Sequence, residues 1–202
     1  MKYSVFRKIW IFGVMTLLIG IIVDPVTGAS LFPKMDKKVE KSFPEGDNER
    51  NPEIKDKSGD TVGYLDILSV WFYEEPDEPD YLYIVMKVRN LKTILRTVFS
   101  VYWMYNGVNY VSTMFVGIYG TYWSVSYFDR GWQTSLSNGS YDLQSDVITM
   151  KIQKSKIGDP QPGDILTNTY ALAWQKIVFG WIPWFVDYAP NRGYGRDYII
   201  QY

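Results

Sequence analysis

The 202-residue chain is 47% hydrophobic and 17% aromatic, enough for one sizeable core and short of two. Its formal charge of −1 becomes −3 once the first 29 residues (Lys2, Arg7, Lys8, Asp24) are set aside, so there is no clustered basic face for nucleic acid. Without cysteine or histidine it has no disulfide, thiolate nucleophile, thiolate or imidazole zinc site, or Ser-His-Asp triad.

Lys2, Arg7 and Lys8 precede residues 9–23, fifteen positions without a charge, which Asp24-Pro25 and the small residues Thr27, Gly28, Ala29 and Ser30 terminate. A positive start, a short apolar run and a small-residue exit form a secretory signal, cut after Ala29. An uncleaved hydrophobic helix that anchors the chain is the alternative, although a spanning helix needs ~20 apolar residues. Either way the domain is expected outside the cell or on its surface, meeting the membrane only through residues 1–29. Residues 30–60 turn polar and charged, a composition too poor in apolar groups to fold alone, and are expected to form a linker or stalk.

The domain is expected over 61–202. Residues 66–73 suit a strand, and the acidic, proline-bearing stretch 74–80 suits a turn. In 81–88, Leu82, Ile84, Met86 and Val88 fall on one face and Tyr81, Tyr83, Val85 and Lys87 on the other, a period of two. Asn106-Gly107 between strands 98–105 and 108–117 suits a type I′ hairpin, whose central residues both need positive φ. Strands follow at 119–128, 132–136 and 147–153, with turns at 129–131 and 137–139. A short helical turn or loop covers 154–163, and strands at 167–174, 184–188 and 196–202 close the chain. Nine or ten short strands without a long 3.6-residue pattern predict an all-β fold, an antiparallel β-sandwich preceded by the N-terminal hydrophobic helix.

Several further residues suggest a binding role. Trp181-Ile182-Pro183-Trp184 cannot form a central strand because of its proline, and an apolar loop of this kind marks a contact surface. Trp181, Trp184 and Trp132 are the candidates for stacking on a glycan or meeting a surface protein; self-association and simple core packing are the other readings of these rings. The acidic pairs Glu74/Glu75 and Asp77/Asp80 share with glycosidase carboxylates only that they are paired, since a solvated turn gives no burial to raise a catalytic pKa. No enzymatic activity is expected. Asn138-Gly139-Ser140 is an N-glycosylation sequon.

A resemblance rests on a set of segments taken in order. They are Asp56-x-x-Gly59-Asp60, Leu65-Asp66-Ile67-Leu68-Ser69-Val70, Leu82-Tyr83-Ile84-Val85-Met86-Lys87-Val88, Gly139-Ser140-Tyr141-Asp142, the block from Ile152 through Lys154-Ser155-Lys156-Ile157-Gly158-Asp159-Pro160-Gln161-Pro162-Gly163-Asp164, and Asp187-Tyr188-Ala189-Pro190. Across 56–202 the chain resembles extracellular β-sandwich domains of archaeal and bacterial secreted and surface proteins. These are often appended to subtilisin-like proteases and are similar in architecture to DOMON domains and family-nine carbohydrate-binding modules. The resemblance implies a jelly-roll-like sandwich, a non-catalytic role, and a domain whose beginning and end lie close together. Asp56, Asp60, Asp66 and Asp187 would then share an oxygen-rich Ca²⁺ site; as turn formers and backbone acceptors the same residues need no ion. Haem-binding members use Met and His, so no haem is expected here. The alternative to a binding module is a structural subunit of a surface layer or filament, with 30–60 or 197–202 adding to a neighbour's sheet edge.

Overall fold

The computed structural model describes residues 50–176 and 183–202, with only the backbone of 176, 183 and 184. The signal or anchor, most of the expected linker and Trp181 lie outside the described residues. Among those described, no helix is long and apolar enough to cross a membrane.

The protein is all-β, built from two antiparallel sheets. Sheet I runs in the order β1 (Ile54–Lys55), β2 (Ile67–Tyr73), β3 (Tyr81–Val88), β9 (Val147–Gln153), β8 (Asn138–Asp142). Sheet II runs β11 (Pro183–Ala189), β10 (Ile165–Lys176), β4 (Thr97–Tyr105), β5 (Val108–Gly117), β6 (Gly120–Phe128), β7 (Trp132–Leu136), and β12 (Tyr198–Ile199) pairs with β10 off that path. The chain passes between the sheets after β3, β7 and β9, and β4 to β7 form a meander.

Alternation builds the core. Phe72, Leu82, Ile84, Met86, Ile148, Met150 and Ile152 from sheet I meet Phe99, Val101, Trp103, Met114, Val125, Ala171 and Ala173 from sheet II in one buried cluster. Phe72 lies edge-on to Trp103 at 6.1 Å and stacks on Tyr198 at 5.5 Å, joining the two sheets and the C-terminal strand.

The expected hairpin is present: Asn106 and Gly107 have φ of 48° and 76° and join β4 to β5. Three boundaries differ from expectation. The linker ends before residue 60, because Ile54 is fully buried and Ile54–Lys55 pairs with β2. Tyr119 lies in the two-residue turn that Gly117 and Gly120 close, not in a strand, and is 76% exposed. The sequon does not sit on a turn: Asn138 opens β8, an edge strand of sheet I, leaving Ser137 alone between β7 and β8. Strand geometry prevails there because Gly139 opposes Met150 on the core side, and a Cβ at Gly139 would collide with the Trp123 ring that fills the space. Asn138 itself is exposed.

Only Tyr198–Ile199 of 196–202 is a strand, yet the tail is fixed by side chains. Glu74, expected in a solvated turn, is 4% exposed and forms an ion pair with the equally buried Lys154. Its oxygens also accept from Tyr198 Oη at 3.0 Å and from the backbone N–H groups of Gln201 at 2.8 Å and Tyr202 at 3.3 Å. Glu74 is thus a structural lock on the C-terminus, with both carboxylate oxygens engaged.

Candidate functional site: an acidic corner and an uncharged sheet face

The loop after β1, the entry to β2 and the inward side of β11 meet at one corner. Asp187 opposes Ala173, an inward-facing position, and is 3% exposed; its Oδ2 accepts the Ile67 N–H at 2.7 Å. Asp56, Asp60 and Asp187 each present an oxygen within 4.8 Å of the others. Asp66, the fourth expected residue, lies beneath the same loop: it is fully buried, and its Oδ2 accepts the Gly59 N–H at 2.7 Å and pairs with Arg89 Nε at 2.7 Å. The Asn191 amide, just beyond β11, donates to Asp56 Oδ1 at 2.9 Å and to Asp60 Oδ2 at 2.5 Å. Two shielded oxygens have no hydrogen-bond partner, Asp56 Oδ2 and Asp66 Oδ1.

Burial and the negative charges of Asp60, Asp56 and Asp66 push the Asp187 carboxyl up to about 7, against a backbone hydrogen bond that lowers it. Burial, with Asp60 adding to it, also raises Asp56. The corner therefore gathers acids whose charged forms disfavour one another. Of these four acids, Arg89 pairs with Asp66 only among the described residues, and its Nη2 also donates to the Thr61 carbonyl at 3.4 Å.

The second feature is the outward face of sheet II. Alternation sends Val98, Ser100, Tyr102 and Met104 of β4 away from the core, and register places Phe115, Thr113, Val111 and Asn109 of β5 beside them. The lane Ser100–Thr113–Ser124, continued by Ser126 and Thr134 on the neighbouring row, carries small hydroxyls. Ser100 and Thr113 bond each other at 3.0 Å, and Ser126 and Thr134 at 2.8 Å. Rings flank the lane. Trp174, Phe115 and Tyr122 lie on one side. On the other, Tyr102 and Tyr170 are stacked at 4.5 Å, and Phe128 meets Trp132 edge-on at 5.5 Å. Outward positions of β4 to β7, and of β10 from Tyr170 to Trp174, hold no charged residue. Sheet I differs: Lys151 lies 4.2 Å over the Tyr81 ring and pairs with Glu78 at 2.7 Å beside Tyr83, Trp71 and Val85.

Of the three expected ring residues, the structure places Trp132 at the margin of this face. Trp184 is the second residue of β11, with its side chain outside the described residues. Trp174, Phe115, Tyr122 and Tyr102 are half-buried residues of this face that the sequence reading does not single out. Their signal is nonetheless present in the sequence, since residues 97–128 contain no charge at all. A strand pair that is apolar on both faces either lies in the middle of a layered fold or presents a surface.

Compared with protein-family models, curated proteins and solved structures, the chain matches none.

Proposed function

We propose that this chain is a non-enzymatic, exported β-sandwich module that binds a glycan on the outward face of sheet II. The charge-free row of rings and hydroxyls on that face carries the reading. A neutral polyhydroxylated ligand has C–H faces that stack on flat rings and hydroxyls that meet the solvent-reached Asn109, Ser124 and Thr134, the buried Ser100 and Thr113 being bonded to each other, whereas an ionic ligand finds no counter-charge there. Trp and Tyr suit such a surface because they combine a rigid apolar body with a polar tip. The resemblance to carbohydrate-binding modules agrees with this reading. The basic and apolar start of the chain and the exposed Asn138 sequon support export to a surface or extracellular location. The absence of histidine and cysteine, with Glu74 engaged in a structural pair, favours binding over catalysis.

One observation favours a second reading, that of a subunit assembled through sheet edges. β7 is an edge strand without a charged residue, exposed over Gln133–Leu136, and Leu136 is 76% exposed.

Glycan-array binding of the full-length protein, beside a Trp132→Ala/Trp174→Ala double variant, tests the first reading. Binding by the parent that the variant loses while keeping its melting temperature supports it. An array with no signal, together with concentration-dependent polymers in size-exclusion chromatography, overturns it in favour of the subunit.

A further inference from the structure

The acidic corner poses a question separate from the glycan face, namely what balances four carboxylates gathered around one loop. Three of them, Asp56, Asp60 and Asp187, hold oxygens within 4.8 Å of one another. Ligands of one ion at 2.3–2.6 Å stand no further apart than about twice that distance, so this spacing lets all three touch a single Ca²⁺.

Proximity of acids alone is a common surface feature. Here a second observation is independent of it. Asp66 is fully buried and keeps Oδ1 without a hydrogen-bond partner, while Oδ2 of the same carboxylate is held on the Gly59 N–H, inside the loop that carries Asp56 and Asp60. Asp56 Oδ2 is likewise shielded from solvent and unpartnered. Buried carboxylate oxygens normally find donors, and leaving one unmade is costly. At the Glu74 lock both oxygens are engaged; at this corner two are not.

Among the described residues, the only cationic group paired with any of the four is Arg89, and it meets Asp66 on the other oxygen. Asn191 also fits a cation site. Its amide spans Asp56 and Asp60, and an amide turned about its last torsion offers a carbonyl oxygen in place of the N–H₂.

We propose that Asp56, Asp60 and Asp187 bind one calcium ion, with Asn191 and water completing the oxygen shell and the buried Asp66 holding the loop beneath it, and that the ion ties the β1–β2 loop to the end of β11. The donors are all hard oxygens, the class Ca²⁺ takes in sets of six to eight, with water supplying the remainder. Mg²⁺ demands a smaller, near-ideal octahedron and gives up its waters reluctantly, so it competes weakly. The proposal does not depend on the glycan reading, and either can fail alone.

The test is calorimetric titration of the chelator-treated full-length protein with Ca²⁺ and with Mg²⁺, alongside thermal unfolding and Tb³⁺ luminescence sensitised by the aromatic residues. Asp60 is exposed, so Asp60→Asn is expected to fold normally. The expected result is saturable Ca²⁺ binding, a melting temperature that rises with calcium, Tb³⁺ emission displaced by Ca²⁺, and at least tenfold weaker calcium binding in Asp60→Asn with an unchanged melting temperature in chelator. No heat, no Tb³⁺ emission and no melting shift at millimolar calcium would overturn the proposal. So would a calcium response in Asp60→Asn and Asp187→Asn identical to the parent's.

Discussion

Two acidic centres, each built around a buried carboxylate (Glu74 in one, Asp187 in the other), tie later parts of the chain to sheet I, and they are built in opposite ways. Glu74 faces a buried ammonium and three further donors, so its charge and both oxygens are satisfied within the protein. Asp187 faces Asp56 and Asp60, with Asp66 close by, and two oxygens of the group have no donor. A buried carboxylate stabilises a fold only when its neighbours supply the donors and counter-charge that water supplied before. The first centre is complete in itself. The second is open to something from solution, whether a proton or a cation.

Breaking the complete centre has the largest expected effect. Glu74→Ala leaves Lys154 buried without its carboxylate and frees Tyr198, Gln201 and Tyr202 together, so the stability loss is about 3–5 kcal/mol. Denaturant unfolding measures it, and calcium does not restore it.

A steric change next to the same C-terminal segment is expected to cost less. A Cβ on Gly195 would strike the Glu53 carbonyl oxygen and come within 2.6 Å of Thr169 Oγ1, and the first of these is backbone. Gly195→Ala is expected to cost about 1–3 kcal/mol, as overpacking does. A melting temperature equal to the parent's would show that this close approach is not maintained.

The open centre has a pH signature. The folded Asp187 carboxyl titrates near 7 against an ordinary value of 3.8, so the folded state holds that proton more tightly than the unfolded chain. In chelator, this residue's contribution is therefore fully present below about pH 4. It declines as pH rises toward 7 and is flat beyond. Melting temperature measured across that window should fall more for the parent than for Asp187→Asn, whose side chain does not titrate; parallel curves would contradict the assignment. The smallest effect is expected for Asn138→Gln. It leaves the melting temperature within experimental scatter and removes whatever glycan mass the native protein carries at that residue, as mass spectrometry reads.

Most of the strands, and the hairpin at Asn106-Gly107, are legible in the sequence because alternation survives wherever one face meets the core, as in 81–88 and 147–153; the order of the strands within each sheet is not. Legibility fails where a distant contact decides the local structure. Asn138-Gly139 reads as a turn until Trp123 is seen occupying the space beside Gly139. Glu74 reads as solvated until Lys154, eighty positions away, is placed on it. The acidic corner is legible as a set of residues but not as a geometry. Asp187 is more than a hundred positions from Asp56, Asp60 and Asp66 and meets them only because β11 returns beside the start of the domain. The ring-bearing face is legible in another sense. Residues 97–128 lack any charge, a signal spread over a whole hairpin pair and less conspicuous than the tryptophans at 181 and 184.

Hydrogen exchange of the full-length protein, free and with the glycan it binds most tightly, tests the assignment of the face most directly. Added protection confined to β4, β5, β6 and β7, with sheet I unchanged, is the predicted result. Protection that falls on β2, β3 and β9 instead, or no protection at saturating glycan, would contradict it.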